Sequence, residues 1–346
     1  MSTSKIEWTE ATWNPIVGCS ILTPGCTNCY AMKMAARLEK ISLDAKSRGV
    51  TQVPHYVGTT KLVNGFPVWT GKMAFAGDEI LLQPLKRKKP TTYFVNSMGD
   101  LFHEDVPDEW IDKVFAVMAL APQHTFQVLT KRAARMRDYF SKPLPKRDGV
   151  VEIARGDKVL DAQYDLGSCT FIAQWPLPNV WLGVSAERQQ EWDERKEHLR
   201  STPAAVRFVS FEPLLGGIVE PRPLSDFLQW AIVGGESGHG ARPMHPDWAR
   251  SLRDQCQAAG VAFFFKQWGV WRAEIDRDQV DPDWRQPYAD YREPHFQMLN
   301  LAGGRGFHGE RLHVMRWCSK KSAGRLLDGV EHNAIPLTAY QRPEGS

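Results

Sequence analysis

The chain has 346 residues, of which 42% are hydrophobic and 24% charged, and its formal net charge is +3. This composition excludes a low-complexity or strongly charged disordered chain, and the small net charge does not by itself indicate a nucleic-acid partner. The N-terminus MSTSKIEWTE lacks the apolar core of a signal peptide, and no apolar stretch is long enough to span a bilayer. We therefore expect a cytoplasmic protein with no membrane partner.

Short runs rich in β-branched and aromatic residues predict seven strands. Most are nearly continuous apolar runs, as expected of parallel strands that are buried on both faces. The predicted strands are Lys72–Ala76, Thr92–Asn96, Thr125–Thr130, Asn179–Ser185, Val206–Phe211, Gln229–Gly234 and Val261–Lys266.

Helical patterns lie between several of these strands, and the last of them is stopped by Gly260. Alternating strands and helices predict an α/β fold with a parallel sheet, either open or closed into a barrel. The predicted helices are Tyr30–Lys40, Asp108–Leu120, Glu187–Leu199 and Pro246–Ala259.

Two stretches interrupt this alternation. Residues 42–71 are rich in Gly, Thr and Val, and residues 141–178 contain several Pro, Gly and Asp, so we interpret both as insertions. From about residue 271 the pattern of strands and helices is lost. We predict a main domain over residues 1–270 and a C-terminal cap over residues 271–346.

Ligands of parallel α/β folds bind at the carboxyl ends of the strands. Polar residues that directly follow a predicted strand are therefore candidate site residues. They are Asn96, Ser97, Asp100, Thr130, Lys131, Ser185, Glu212, Gly234, Gly235, Glu236, Lys266 and Gln267.

Three of the six cysteines lie within eleven positions, in the segment WNPIVGCSILTPGCTNCYA. Clustered cysteines in a reducing compartment indicate a metal site. One interpretation is a structural zinc ion held by Cys19, Cys26, Cys29 and a histidine, for which His55 and His103 are candidates. The other is a [4Fe–4S] cluster on the three cysteines, which leaves one iron open to a small molecule.

The flanks of these cysteines resemble the N-P-x-x-G-C…G-C-x-x-C-Y-A signature of radical S-adenosylmethionine (SAM) proteins similar to spore photoproduct lyase. The spacing departs from the common C-x3-C-x2-C pattern by three extra residues, and Asn28 stands where an aromatic residue is usual. The resemblance implies a partial (β/α) barrel of about six or seven parallel strands. It also implies a [4Fe–4S] cluster with SAM at its open iron. The matching residues are Asn14, Pro15, Gly18, Cys19, Gly25, Cys26, Cys29, Tyr30 and Ala31.

The same resemblance implies residues that contact SAM. Lys131, in a stretch similar to T-K-S…R-D, would meet its carboxylate, and Asp100 or Glu236 would meet its ammonium group. Glu236 ends a Gly-Gly-Glu run that many radical SAM proteins carry after an early strand, whereas here it follows a late one. Lys131 and Glu236 are our candidate catalytic residues. The other candidate SAM-binding residues are Tyr30, Ser97, Asp100, Ser185, Gly234 and Gly235.

The overall layout also resembles a phage-associated three-cysteine family of unassigned activity, which would place the protein in the cytoplasm of a bacterial host. The resemblance implies reductive cleavage of SAM to a 5′-deoxyadenosyl radical, used to repair or modify a base in DNA or RNA. A one-electron donor such as flavodoxin or ferredoxin would reduce the cluster. Tryptophans that could stack on bases are Trp175, Trp268, Trp271 and Trp317.

Two alternatives stay open. The chain could be a non-catalytic nucleic-acid-binding protein with a three-cysteine, one-histidine zinc site. It could also be an iron–sulfur sensor that never cleaves SAM. The three remaining cysteines lack cluster spacing, and we expect them to be buried or incidental thiols. They are Cys169, Cys256 and Cys318.

Overall fold

The computed structural model describes residues 4, 6–141, 176–275, 291, 294–305 and 312–336. Seven strands form one parallel sheet that curls into a half-barrel, and their order in the sheet follows their order in the chain. The predicted partial (β/α) barrel is confirmed. The strands are β1 (Ala11–Trp13), β2 (Thr92–Val95), β3 (Thr125–Thr130), β4 (Val180–Ser185), β5 (Val206–Phe211), β6 (Trp230–Gly234) and β7 (Ala262–Gln267).

Among the described residues, five helices of nine residues or more pack against the outer face of the sheet or follow its strands. The strand β1 leads through the cysteine segment to α1, and each later helix follows a strand or its loop. Apolar side chains from the four later helices and from the outward positions of the strands form one large core, whereas the first helix packs in a separate cluster with Tyr56 and Trp69. The helices are α1 (Tyr30–Ser47), α2 (Asp108–Leu120), α3 (Ala133–Ser141), α4 (Gln189–Ser201) and α5 (Pro246–Ala259).

The inner face of the half-barrel has a core of its own. Along β3, Phe126 and Val128 point to the outer core, whereas Leu129 points inward, as the two-residue period of a strand requires. The inner cluster is aromatic and lies towards the amino ends of the strands. Its buried members are Trp8, Phe94, Trp181, Val206, Phe208, Trp230, Ile232 and Phe264.

Gly183 on β4 makes room for one of these inner rings. A Cβ atom at Gly183 would lie 2.6 Å from the Phe208 ring, which is fully buried. We expect Gly183→Ala to lower the free energy of unfolding by about 1–3 kcal/mol, because the ring can move only by disturbing the close-packed core. Urea denaturation measures this change. A Cβ at Gly216 would meet no atom closer than 3.5 Å, so Gly216→Ala is the matched control, and an equal loss in both variants contradicts the prediction.

The C-terminal cap contains a three-stranded antiparallel sheet. Its strands are β8 (Trp271–Ile275), β9 (Phe296–Asn300) and β10 (Leu312–Trp317), with β10 in the middle. Towards the end of the described chain, residues near Asn333 run along the free edge of β7, where Asn333 forms a bridge with Phe264. This segment covers an edge that would otherwise present unpaired backbone groups.

Several predicted elements need correction. The predicted strand Lys72–Ala76 shrinks to Ala74–Phe75, which pairs antiparallel with Ile16–Val17 beside the cysteines and does not join the barrel. The first helix continues to Ser47, into the predicted insertion 42–71, which also holds the hairpin Thr60–Val63 and Phe66–Trp69. Most of the predicted insertion 141–178, with Cys169 and Trp175, lies outside the described residues.

No helix among the described residues combines the length and the apolar character that a membrane crossing requires.

Candidate functional site

A cavity of about 370 Å³ opens at the carboxyl ends of the seven strands. It brings together residues that are up to 314 positions apart in the chain, from Ile6 to Lys320. Gly234 is not among its lining residues. The predicted site residues that do line the cavity are Cys19, Cys26, Cys29, Tyr30, Asn96, Ser97, Asp100, Thr130, Lys131, Ser185, Glu212, Gly235, Glu236, Lys266 and Gln267.

The cysteine segment reaches this cavity through a tight turn at Gly18. The residue has φ +97°, and a Cβ atom there would lie 2.1 Å from the Lys72 carbonyl oxygen. Only glycine fits both conditions. The next ligand candidate, Cys26, ends a short 3-10 turn, and Cys29 immediately precedes helix α1.

The three cysteines all line the cavity, but their sulfur atoms are not close enough to form one compact group. They do not all lie within 4.8 Å of one another. Around a single zinc ion, thiolates bound at 2.3 Å in tetrahedral geometry would be about 3.8 Å apart. The thiolates of a cluster bind separate irons and lie farther apart than those around a single zinc ion.

Neither candidate for the fourth zinc ligand, His103 or His55, is grouped with the three cysteines. His103 is buried, its Nδ1 accepts a hydrogen bond from the Asp105 amide at 3.1 Å, and its Nε2 lies 2.9 Å from the Ser20 hydroxyl. With Nδ1 as acceptor, Nε2 carries the proton and cannot bind a metal ion. His55 lies in a short turn against the Tyr56 ring. No described group of potential ligands within 4.8 Å combines either histidine with the cysteines.

The surroundings act differently on the three thiols, and burial raises the pKa of Cys29. Burial raises the pKa of Cys26, but the Lys131 ammonium and the Leu22 and Thr23 amides outweigh it and hold the pKa below its usual value. Burial, together with the Asp100 carboxylate, raises the pKa of Cys19 to about 12. A buried thiol of this kind needs a cation to ionise.

Arg132 supplies a cation to Cys19. Its Nη1 atom lies 3.7 Å from the Cys19 sulfur and 3.0 Å from an Asp100 oxygen, and its Nη2 donates to Ser20 at 2.6 Å. Glu104 accepts from its Nε at 2.7 Å. Four contacts on a guanidinium that is only 5% exposed fix its orientation toward the sulfur.

Asp100 holds the end of strand β3 in place. Its carboxylate accepts from the Thr130 hydroxyl at 2.6 Å, from the Lys131 amide at 3.2 Å and from Arg132. The Phe102 amide donates to the same carboxylate at 3.0 Å. Because four donors already satisfy it, Asp100 is placed to orient Lys131 and Arg132.

Glu187 is a central residue that the sequence analysis did not single out. Its carboxylate is fully buried, forms an ion pair with Lys131, and lies 3.4 Å from Arg195. It also accepts from the Thr23 hydroxyl at 3.0 Å, and a Cβ at Gly25 would lie 2.2 Å from its oxygen. Glu187 thus ties the cysteine segment to strand β4. Its place two residues after that strand was the available signal.

Lys131 lies between this carboxylate and the cavity. Its side chain is 19% exposed, and burial lowers its pKa to about 8, while the Cys26 thiolate acts in the opposite direction. An ammonium group has three donors. Lys131 therefore can hold Glu187 and still donate to an anionic group in the cavity.

Glu236 anchors the opposite side of the cysteine segment. It accepts from Arg242 through both oxygens, at 2.5 and 2.9 Å, and from the Asn28 amide at 2.9 Å. Asn28 directly precedes Cys29. At the neighbouring Gly235, a Cβ would lie 2.1 Å from the Trp268 carbonyl oxygen, so this glycine serves a close approach of two backbone segments.

Ser97 and Ser185 present hydroxyl groups at the cavity wall. The Asn14 side chain accepts from the Ser97 hydroxyl at 3.1 Å and from the Met98 amide at 3.0 Å, and the Tyr30 hydroxyl donates to the Ser97 carbonyl at 2.9 Å. The Asn-Pro motif thus shapes the loop after β2. Arg195 donates to the Ser185 carbonyl at 2.6 Å, and Ser185 lines the cavity.

A second group of potential metal ligands lies away from this cavity. His245, Asp247 and His313 place their ligand atoms within 4.8 Å of one another. His245 Nδ1 accepts from the Asp247 amide at 3.1 Å, so its Nε2 carries the proton that faces His313 Nδ1 at 3.0 Å. This arrangement is a hydrogen-bonded histidine pair that joins helix α5 to strand β10.

The family model described as "Protein of unknown function (DUF5131)" matches residues 3–336. No curated protein and no solved structure matches the chain significantly.

Proposed function

We propose, for a chain that belongs to this family of unknown function, that it is a radical SAM enzyme. One observation carries the proposal. Three cysteines of a single segment line the same cavity as Lys131, Ser97 and Ser185, at the carboxyl ends of a parallel half-barrel. A cavity at this end of the strands is where α/β folds bind their ligands.

The chain's own residues fit the two implied cofactors. Cys19, Cys26 and Cys29 would hold a [4Fe–4S] cluster, since their sulfurs do not all lie within 4.8 Å of one another and the Lys131 ammonium and nearby amides hold the pKa of Cys26 below its usual value. When bound, the cluster supplies one electron that cleaves SAM reductively and yields a 5′-deoxyadenosyl radical. The fold supplies placement, charge and exclusion of water.

Lys131 would bind the carboxylate of SAM, as a compact cation that Glu187 keeps oriented. The Ser97 and Ser185 hydroxyls would meet its other polar groups. Asp100 and Glu236 are saturated by donors from the protein, so we assign them to positioning and not to the ammonium of SAM. Glu236 acts through Asn28, beside Cys29.

For the substrate we propose a base of DNA or RNA, following the resemblance of the cysteine segment. The cavity continues inward over Phe94 and Leu129 and is flanked by the ion pair of Lys266 with Glu212, at 2.7 Å. An apolar floor with polar walls suits a planar heterocycle. A failure to retard DNA or RNA in gels at low salt would contradict this assignment. A bacterial host cytoplasm is the proposed location.

The proposal is tested by anaerobic reconstitution with iron and sulfide, followed by incubation with SAM and dithionite. We expect brown protein with about four irons per chain and formation of 5′-deoxyadenosine. Colourless protein with one zinc ion per chain would instead support the zinc-binding alternative. A brown protein that never cleaves SAM would support the sensor alternative.

The contact between Arg132 and Cys19 predicts a measurable effect on the cluster. Arg132→Lys keeps the charge beside Asp100 but cannot reach Ser20, Glu104 and the sulfur at once. Because N–H donors to cluster sulfurs raise the reduction potential, we expect the potential to fall by on the order of tens of mV at unchanged iron content. A spectroscopic redox titration measures it. Arg135→Lys, at an ion pair with Asp108, is the control that should leave the potential unchanged.

A further inference from the structure

Helix α1, which begins immediately after Cys29, carries an exposed row of cations. Its buried face is formed by small and apolar residues, including Ala31, Ala35 and Ala45. On the opposite face, Lys33, Arg37 and Lys40 are exposed. Spacings of four and three residues place them on one side of the helix, in a row about 10 Å long.

The protein itself does not neutralise this row. Within the described part of the chain, none of the three side chains has a hydrogen bond or ion pair. Glu39 turns away from them and accepts from the Gly58 amide and the Thr60 hydroxyl, each at 2.7 Å. Charged side chains that are buried in a protein are normally paired with an opposite charge. These three cations are exposed and unpaired, so they are available to an anionic partner.

Exposed apolar side chains occur on the same helix and in the cysteine segment that precedes it. Met34 and Leu43 on α1 are 43% and 49% exposed, and Ile21 and Leu22 in the cysteine segment are 49% and 50% exposed. Exposed apolar groups next to unpaired charges are typical of a surface that contacts another protein. We call Lys33, Met34, Arg37, Lys40 and Leu43 the α1 surface.

The position of the α1 surface favours an electron donor over a substrate as the anionic partner. Only Tyr30 and Ala31 of this helix line the cavity, and the cations follow them along the outside of the barrel. A substrate must enter the cavity, whereas an electron donor must approach the cluster while the cavity is full. The α1 surface lies outside the cavity on the helix that follows Cys29, so a donor that docks there can approach the cluster without entering the cavity.

We propose that the α1 surface docks an acidic one-electron carrier protein of the flavodoxin or ferredoxin class. This inference rests on the proposed function, because it assumes a cluster on the three cysteines. The carrier's reduced flavin or cluster is oxidised by one electron, and the cluster of this chain is reduced by one. Opposite charges on the two surfaces speed the encounter, and the exposed apolar side chains provide the contact.

The test compares two triple charge reversals with the same change in net charge. One is Lys33→Glu, Arg37→Glu and Lys40→Glu on the α1 surface. The control reverses three other exposed lysines. They are Lys86, Lys88 and Lys89, each changed to Glu.

Formation of 5′-deoxyadenosine is measured with two reductants, dithionite and a system of flavodoxin, flavodoxin reductase and NADPH. With dithionite, both triple variants should match the parent. With flavodoxin at low salt, the α1 variant should lose at least about tenfold in rate while the control keeps the parent's rate. Added salt should slow the parent and leave the α1 variant nearly unchanged.

An equal flavodoxin-driven rate in the α1 variant and the control overturns the inference, as does an equal loss in both. If the parent itself fails with dithionite, the proposed function is wrong, and docking is then judged by calorimetric titration with flavodoxin. Unchanged affinity in the α1 variant would contradict docking. Loss of binding to a single-stranded oligonucleotide, with flavodoxin binding intact, would assign the surface to nucleic acid instead.

Discussion

Replacing any one of Cys19, Cys26 and Cys29 with alanine is expected to reduce the iron content from about four per chain to below one and to abolish 5′-deoxyadenosine formation. A cluster held by three thiolates has no spare protein ligand. In the described part of the chain, no histidine or carboxylate joins these cysteines in a group of ligand atoms within 4.8 Å that could take over. Iron analysis and the visible spectrum of anaerobically purified protein measure the loss.

The matched control is Cys318→Ser. Cys318 is a partly exposed free thiol just after β10, and it does not line the cavity. It should keep the parent's iron and spectrum. Full iron in any of the three loop variants would contradict the assignment of that cysteine. Loss of a single zinc ion, with no iron in the parent, would contradict the cluster itself.

The second large effect is expected at Glu187. Replacement by alanine leaves the Lys131 and Arg195 cations without their shared, fully buried carboxylate. Breaking a buried ion pair from one side costs about 3–5 kcal/mol, because the remaining charge stays desolvated. We expect a loss of this size in the free energy of unfolding of the metal-free protein, measured by urea denaturation.

Glu194→Ala is the control for this experiment, since Glu194 lies on helix α4, which begins two residues after Glu187, and its exposed side chain accepts a hydrogen bond from Gln190. It should change stability by less than about 0.5 kcal/mol. The double variant Glu187→Ala, Lys131→Met removes one of the two cations that would lack a partner. It should therefore recover part of the lost free energy of unfolding. A loss below about 1 kcal/mol in Glu187→Ala would show that its ion pairs are not coupled to folding.

Local sequence patterns predict most of the barrel. Thr125–Thr130 and Val206–Phe211 match the observed strands at both ends, and Asp108–Leu120 and Pro246–Ala259 match the observed helices. Apolar runs bounded by Pro and Gly determine such elements locally. Patterns fail where the elements are short. The three residues of β1 are too few to show a period, and their strand forms because they pair with β2.

The sequence predicted many of the residues that line the candidate site, but it did not predict which residues contact one another. Strand-end positions such as Lys131 and Ser185 line one cavity, because parallel strands bring their carboxyl ends together. The partners of these residues come from distant segments. Nothing near Lys131 in the chain identifies Glu187, which lies 56 positions later.

By itself the sequence determined the alternation of strands and helices, the three clustered cysteines and the polar strand ends, since each depends on neighbours in the chain. Only the tertiary structure decided how those groups are paired. It showed that Asp100 and Glu236 accept hydrogen bonds from several donors of the protein, that Glu187 joins the cysteine segment to β4, and that the three sulfurs do not all lie within 4.8 Å of one another. Charge pairing and desolvation depend on distance in space, which sequence spacing does not encode.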